Sequence, residues 1–379
     1  MSPEQAAALR LDRVDDAIRA IADGELVIVV DDTDRENEGD LILAASRATA
    51  DKIAFIIRHT SGIVCTPLPP DLARRLKLSA MVADNDAPLQ TAFTVSIDYR
   101  VGLTTGISAD ERTNTIRALA NGNAGPDDFV RPGHVFPLVA REGGVLMRSG
   151  HTEAAVDLSR LAGLPPVGVL AELVNDDGTV KRLPELVEFA REHQLKMISI
   201  ADLIAYRQQR ERLVKRVAEF DVPTVGGTAR GMAYTTPFDA VQHLALVFGD
   251  VRGDEPVPVR IHRESIVRDV FASRAEPGRD SISKTLTRFR DEGRGVLLYL
   301  REGSAGVPAE ALQSEDAAAE AASASEKARD QQWREIGVGA QILRDLGVSR
   351  IRLLATRRLH YVGLDGFGID LVETDLLQE

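Results

Sequence analysis

Apolar residues recur at helical spacing near the start of the chain: Leu9, Val14, Ile18 and Ile21 share one face over residues 8–22. Gly24 is a stop signal, and the run Glu25–Val30 (ELVIVV) predicts a buried strand. Ten polar residues follow, DDTDRENEGD at 31–40, before LILAAS resumes the apolar pattern. A helix is predicted at 51–58, a short strand within SGIVCTPL, a strand at Ala92–Ile97 and a helix around Asp110–Ala120. Beyond these, Val167–Leu173 reads as a strand, Leu183–His193 as a helix, Met197–Ser199 as a strand and Ile200–Arg216 as a helix. Interleaved strands and helices predict an α+β architecture of layered α/β domains, without internal repeats.

The charged segment AYRQQRERLVKRV closes that pattern and predicts two domains, 1–214 and 215–379. After it, PTVGG, AYTT, HLALVFG and PVPVRIH suggest shorter and more irregular strands. Residues 309–330 are mostly Ala, Glu and Ser and offer no apolar face, so they read as an exposed helix or a flexible insertion.

Composition narrows the function classes. The chain is 44% hydrophobic and 27% charged, a globular balance. A net charge of −12 repels nucleic acid and anionic membranes, and neither is expected as a partner. A single cysteine, Cys65, excludes an internal disulfide framework and a four-cysteine zinc site. No apolar run reaches the roughly 18 residues of a membrane span, and the polar start lacks a signal-peptide core. A soluble, cytoplasmic protein is the expectation.

Three segments carry chemistry. The loop 31–40 packs six carboxylates and one arginine into ten residues after a buried strand. Either it is a solvated acidic turn, or a cation shares the site. Oxygen ligands suit magnesium or manganese, and the end of a strand is where α/β folds place sites. Arg35 inside the cluster suits an anionic or polyhydroxyl ligand. His134 and His151 sit in Gly-containing turns, RPGHVFP and RSGHTEA, where a lone histidine is either structural or functional. Around His151, the residues Arg148, Ser149, Gly150 and Thr152 supply a guanidinium, hydroxyls and backbone amides suited to a phosphate. Thr104–Ser108 (TTGIS) is a weaker turn of the same kind. Glu172 follows an apolar run and reads as a buried acid or base. Cys65 is either a small core residue or a reactive one.

Together, DDTDRENEGD, IRHTSGIVC, FTVSIDYRVGLTTGISADERTNTIRALA, RPGHVFPL, RSGHTEAAVDL, VLAELVNDDGT and ADLIAYR resemble 3,4-dihydroxy-2-butanone 4-phosphate synthases over residues 8–212. The resemblance implies conversion of ribulose 5-phosphate to 3,4-dihydroxy-2-butanone 4-phosphate and formate through a magnesium-stabilised enediolate, with Mg²⁺ or Mn²⁺ as cofactor, in an α+β homodimer. It places the metal ligands on Glu36 and His151, and the substrate contacts on Arg35, Glu36, Asp40, Arg148, Ser149, Gly150, His151, Thr152 and Glu172. It places the two catalytic residues on His134 and Glu172.

Residues 217–379 resemble GTP cyclohydrolase II, through RIHRESIVRDVF, GRGVLLYLREG and IGVGAQILRDLGVSRIRLLAT. There the resemblance breaks down at the chemistry. The zinc cysteines of that family fall on Ser265, Ala275 and Pro277, which cannot replace thiolates. Arg334–Gly337 lacks the usual aspartate, and Thr356–Arg358 replaces an NNP-type turn. The expectation is a retained fold without zinc. The alternatives are a bifunctional enzyme that keeps the cyclohydrolase activity, a metal-dependent sugar-phosphate isomerase or aldolase, and a regulatory or scaffolding chain.

Overall fold

A computed structural model describes residues 11–31, 35–87, 89–236, 241–265, 269, 281–301, 337–355 and 368–377. The chain forms two compact units, Met1–Tyr206 and Arg207–Glu379. The division lies eight residues before the break expected at 214/215, and the reason is local. Gln341 accepts the Leu213 amide (2.5 Å) and donates to the carbonyls of Gln208 (2.9 Å) and Glu211 (2.7 Å), which ties this segment to the second unit. The helix expected to run to Arg216 ends at Arg210, and a strand begins at Lys215.

In the first unit the strands are β1 (Val27–Val30), β2 (Gly39–Ala44), β3 (Cys65–Leu68), β4 (Ile97–Tyr99), β5 (Phe129–Val139), β6 (Gly168–Glu172) and β7 (Lys196–Ser199). They form one mixed sheet in the order β4-β5-β3-β6-β2-β1-β7. β1 runs parallel to β7 and β3 to β5, and the other neighbours are antiparallel. The run Val27–Val30 is buried at every position because helices cover both faces. Ile28, Val30, Leu41 and Leu43 share a core with Ile53, Ile56, Ile116 and Leu119 of the helices Ala50–His59 and Ala109–Leu119. The helices Val14–Asp23 and His151–Leu161 pack on each other and on β1 and β2.

Two expectations change here. Arg131–Pro137 is not a turn but the middle of an eleven-residue strand. Two prolines and a glycine hide it, since each is disfavoured in strand interiors. The register against β4 shifts between Ile97 and Asp98, and Gly133 lies where a Cβ would come within 2.0 Å of the Ile97 carbonyl carbon. The strand expected at Ala92–Ile97 begins only at Ile97, preceded by isolated bridges at Phe93 and Thr94.

The second unit holds β8 (Lys215–Thr224), β9 (Gly227–Thr235), β10 (Gln242–Phe248), β11 (Val257–Arg263), β12 (Gly295–Leu300), β13 (Arg350–Ala355) and β14 (Asp370–Leu376). Their order is β14-β13-β11-β12-β10-β9-β8. β8 and β9 are long and antiparallel, against the short pieces expected, with one register shift between Arg216 and Ala218; β8 is exposed along most of its length, so its sequence shows no alternation. The helix Ser281–Glu292 buries Leu286 and Phe289 with Phe248 and Leu354. Val338, Ile342 and Leu343 join Val259, Val296 and Leu298 in a separate core. Residues 309–330, with Ala275, Pro277, Arg334 and Thr356–Arg358, lie outside the described residues.

Candidate active site

The acidic loop is organised from within. Asp31, just past β1, accepts the amides of Glu36 (3.0 Å) and Glu38 (2.9 Å) and a guanidinium N–H of Arg35 (3.0 Å). Arg35, its side chain only 3% exposed, also meets Glu36 Oε2 at 2.9 Å. Its guanidinium is committed to neutralising two loop carboxylates. Arg182 clasps the loop from the start of the helix Leu183–Glu192, donating to the carbonyls of Glu36 (2.9 Å) and Asn37 (2.5 Å).

His151 is the first residue of the helix His151–Leu161, and Gly150 is its N-cap. Its Nε2 lies 3.1 Å from the Val29 carbonyl, so that nitrogen donates and Nδ1 turns to the carboxylates. Nδ1 stands 3.4 Å from Glu36 Oε2 and 4.0 Å from Asp40 Oδ2. Donor atoms of Asp31, Glu36 and His151 all lie within 4.8 Å of one another, the one such group among the described residues.

Electrostatics sharpen this cluster. Burial opposes the charge of Glu36, but the hydrogen bond with His151 and the charges of Arg35, His151 and Arg148 outweigh it and hold the carboxyl at about 2. Burial likewise opposes a charged His151, yet Asp40, Glu36 and Asp31 together push it up. Asp40 is 3% exposed, and its burial, with Glu172, Glu36 and Glu38 nearby, pushes it up to about 8. Its Oδ1 is buried without a hydrogen-bond partner. Buried polar atoms normally have one, so this oxygen points to a ligand.

Asp40 and Glu172 pair on one rung of β2 and β6, and Glu172 accepts a 2.7 Å hydrogen bond from Ser61. Arg148 donates to Glu153 (2.8 Å) and to the Leu89 carbonyl (3.1 Å). Glu153 is 1% exposed and also accepts the Arg141 amide at 2.8 Å. A Cβ on Gly150 would meet the Arg148 guanidinium at 2.2 Å, so glycine is needed for the arginine to fold back here. Ser149 is half-buried and Thr152 buried at the same helix start, where amides and dipole favour an anion.

Glu36, Asp40, His151 and Glu172 therefore come together, with the Arg148–Thr152 turn beside them. His134 belongs to a different constellation. It lies on β5, and its contacts among the described residues run to Asp98: Nδ1 to Oδ2 and the backbone amide to Oδ1, both 2.8 Å. The TTGIS turn is held by Glu111, which accepts the Thr104 amide (2.6 Å) and hydroxyl (2.8 Å) and the Ser108 hydroxyl (2.9 Å). Cys65 is 2% exposed between Leu170 and Phe136, and burial, with Glu172 and Asp40, pushes its thiol up, which favours the core reading. The sequence reading missed Asp98, Glu153 and Arg182. Only Glu153 had a local signal, as an acid in the first turn of a helix.

In the second unit Asp269 accepts from His262 (2.9 Å), the Tyr299 hydroxyl (2.6 Å) and the Ser265 amide (2.9 Å). His243 Nδ1 accepts the Arg301 amide at 3.1 Å.

Comparison with known proteins decides the family. The family model of 3,4-dihydroxy-2-butanone 4-phosphate synthase matches residues 15–206, and that of GTP cyclohydrolase II matches residues 215–375. The chain belongs to the 3,4-dihydroxy-2-butanone 4-phosphate synthase family. It is an enzyme of riboflavin biosynthesis, a lyase, with a GTP cyclohydrolase II-type domain fused behind the synthase domain. The riboflavin biosynthesis protein RibBA of Bacillus cytotoxicus is 45% identical over 372 residues, covering 97% of this chain and 93% of that protein. The crystal structure of RibBX, a two domain 3,4-dihydroxy-2-butanone 4-phosphate synthase from A. baumannii, is 37% identical with a TM-score of 0.79, covering 97% of this chain and all of that one. A 3,4-dihydroxy-2-butanone 4-phosphate synthase solved with two magnesium ions is 45% identical with a TM-score of 0.52, covering 53% of this chain and 98% of that one. No described helix is long and apolar enough to cross a membrane.

Proposed function

We propose that the first unit converts D-ribulose 5-phosphate to 3,4-dihydroxy-2-butanone 4-phosphate and formate, and that the second unit contributes no zinc-dependent GTP chemistry. The observation that carries the first part is the meeting of Glu36, His151 and Asp40 at the start of a helix, with a buried carboxylate oxygen lacking a hydrogen-bond partner.

The donor set fits a hard divalent cation. Glu36 and His151 would hold Mg²⁺ or Mn²⁺, with Asp31 adjacent, and few protein ligands suit an ion that keeps several waters. Such an ion supplies positive charge against the oxygen anion that develops when a proton leaves the carbon next to a carbonyl. The chain's own groups do the rest. The Arg148–Thr152 turn receives the phosphate on its guanidinium, hydroxyls and helix-start amides. Asp40 and Glu172, paired across two strands, face the sugar hydroxyls and exchange protons with them. Glu172 is kept in place by Ser61. His134 moves protons at its ring nitrogen, and the substrate's five carbons leave as four and one.

The second half rests on Ser265. A hydroxyl there replaces a thiolate that zinc would need, and the Ser265 amide, His262 and Tyr299 all donate to Asp269. The family resemblance further supports a homodimer, which sizing of the active protein tests. The function itself is tested by product analysis with ribulose 5-phosphate. Stoichiometric formate supports it, whereas an isomeric or cleaved sugar phosphate without formate would indicate an isomerase or aldolase. Glu36→Gln and His151→Ala should remove the activity; unchanged turnover in either would overturn that ligand assignment.

A further inference from the structure

The carboxylate of Asp98 is spent on one neighbour. It is 3% exposed on β4, and both of its oxygens accept from His134: Oδ1 from the backbone amide and Oδ2 from Nδ1, each at 2.8 Å. An ionised carboxylate has no proton to give, so Nδ1 must carry the hydrogen and Nε2 is left with its lone pair. The histidine side chain is 41% exposed, so the ring's other nitrogen is not sealed into the core.

The surroundings hold this pair in one geometry. The β4–β5 register shifts at Ile97/Asp98, and the Gly133 amide donates to the Ser96 hydroxyl at 3.2 Å. Gly106, at φ +85°, lies over the hydrogen bond: a Cβ there would sit 2.1 Å from Asp98 Oδ2 and 2.7 Å from His134 Nδ1. Arg112 is 6% exposed and feels the charge of Asp98; its Nε is buried without a hydrogen-bond partner. The guanidinium therefore stands near the carboxylate and attracts it.

We propose that Asp98 is the positioning residue of the synthase reaction: it locks His134 as the Nδ1–H tautomer and so makes Nε2 the atom that accepts and returns protons. This rests on the assignment of His134 to the chemistry made above. Gly106 and Arg112 maintain the lock, one by leaving room for the hydrogen bond and the other by its charge.

The near-isosteric Asp98→Asn tests it in the full chain. The amide's single carbonyl oxygen would still take the His134 amide, which turns the NH₂ group toward Nδ1 and selects the opposite tautomer. The ring ¹⁵N shifts of His134, read at a pH where the ring is neutral, should show Nδ1–H in the native protein and Nε2–H in the variant. Turnover should fall by about a hundredfold to ten-thousandfold, with KM changed less than about threefold. Adding Asp98→Asn to His134→Ala should cost no more than about a further twofold, because both act through one ring. A native His134 lacking the proton at Nδ1 overturns the proposal whether or not the variant folds. So does an Asp98→Asn protein with native turnover while His134→Ala is inactive. Full activity of His134→Ala would instead remove His134 from the reaction, and the proposal with it.

Discussion

The two units treat their polar groups in opposite ways. In the first, acids from separate elements crowd one site: Glu36 and Asp40 face His151, Glu172 pairs with Asp40 on the neighbouring strand, and Asp40 Oδ1 is buried with no hydrogen-bond partner. Like charges gathered so closely repel one another unless a proton or a cation is shared among them. In the second, Asp269 takes hydrogen bonds from His262, Tyr299 and the Ser265 amide, all within the described residues. The apolar pattern that builds each sheet is intact in both. A fold does not by itself fix the chemistry, so each site is judged by what its own groups still need.

Several measurements break or sharpen this contrast. The largest effect is expected from His151→Ala or Glu36→Gln, which should lower formate release from ribulose 5-phosphate by about a hundredfold or more, since even outer-shell changes cost 10–100-fold. His262→Ala in the second unit should stay within about twofold of native in the same assay. Equal damage from both would erase the distinction between the units.

Arg148→Ala should act mainly on substrate binding. Losing a charge-assisted contact to phosphate costs about 1.5–3 kcal/mol, or about 10–150-fold in KM. The substitution also strands Glu153, buried to 1% exposure. The double variant Arg148→Ala/Glu153→Gln separates the two effects: it should regain thermal stability and keep the raised KM. Recovery of KM would show that Arg148 serves packing alone.

Arg182→Ala removes two hydrogen bonds to the carbonyls of the acidic loop. About 1 kcal/mol of loop order corresponds to a roughly fivefold higher Mg²⁺ requirement, read by metal titration of the activity. An unchanged requirement would mean that the loop holds its shape without the clasp.

The smallest effect lies in the second unit and should leave catalysis alone. Burial opposes the charge of Asp345, but hydrogen bonds from Arg216 (2.6 Å) and Tyr234 (2.9 Å) hold its carboxyl below the usual range. A depressed folded value adds stability above the ordinary aspartate value, near pH 4, and loses it as pH falls further. Asp345→Asn should cost on the order of 1 kcal/mol at neutral pH in urea unfolding, discounted for partial exposure, with the gap to native closing below about pH 4. A gap that persists into acid would place the effect in packing instead of charge.

Much of the first unit was legible from one-dimensional pattern. VIVV and LILA announce β1 and β2 because fully buried strands read as continuous apolar runs. The loop between them announces itself by six carboxylates in ten residues. β5 was not legible, because Pro132, Gly133 and Pro137 argue locally for a turn while pairing with β3 and β4 decides otherwise. Nor was the orientation of Arg35 and Arg148. Sequence shows a guanidinium near acids, and only packing shows that one turns inward to Asp31 and the other to Glu153. Asp98 and Arg182 were invisible for a third reason. Their partners lie 36 and about 146 residues away in the chain, and a single charged residue carries no periodicity.

The most direct test of the central claim is a two-substrate formate assay on the full-length protein. Ribulose 5-phosphate with Mg²⁺ should give stoichiometric formate that a chelator abolishes and added Mg²⁺ restores. GTP, with Zn²⁺ supplied, should give none, and the protein should hold no stoichiometric zinc. Formate from GTP together with bound zinc would contradict the reading of the second unit, and chelator-resistant turnover of the sugar phosphate, or no formate from it, would contradict that of the first.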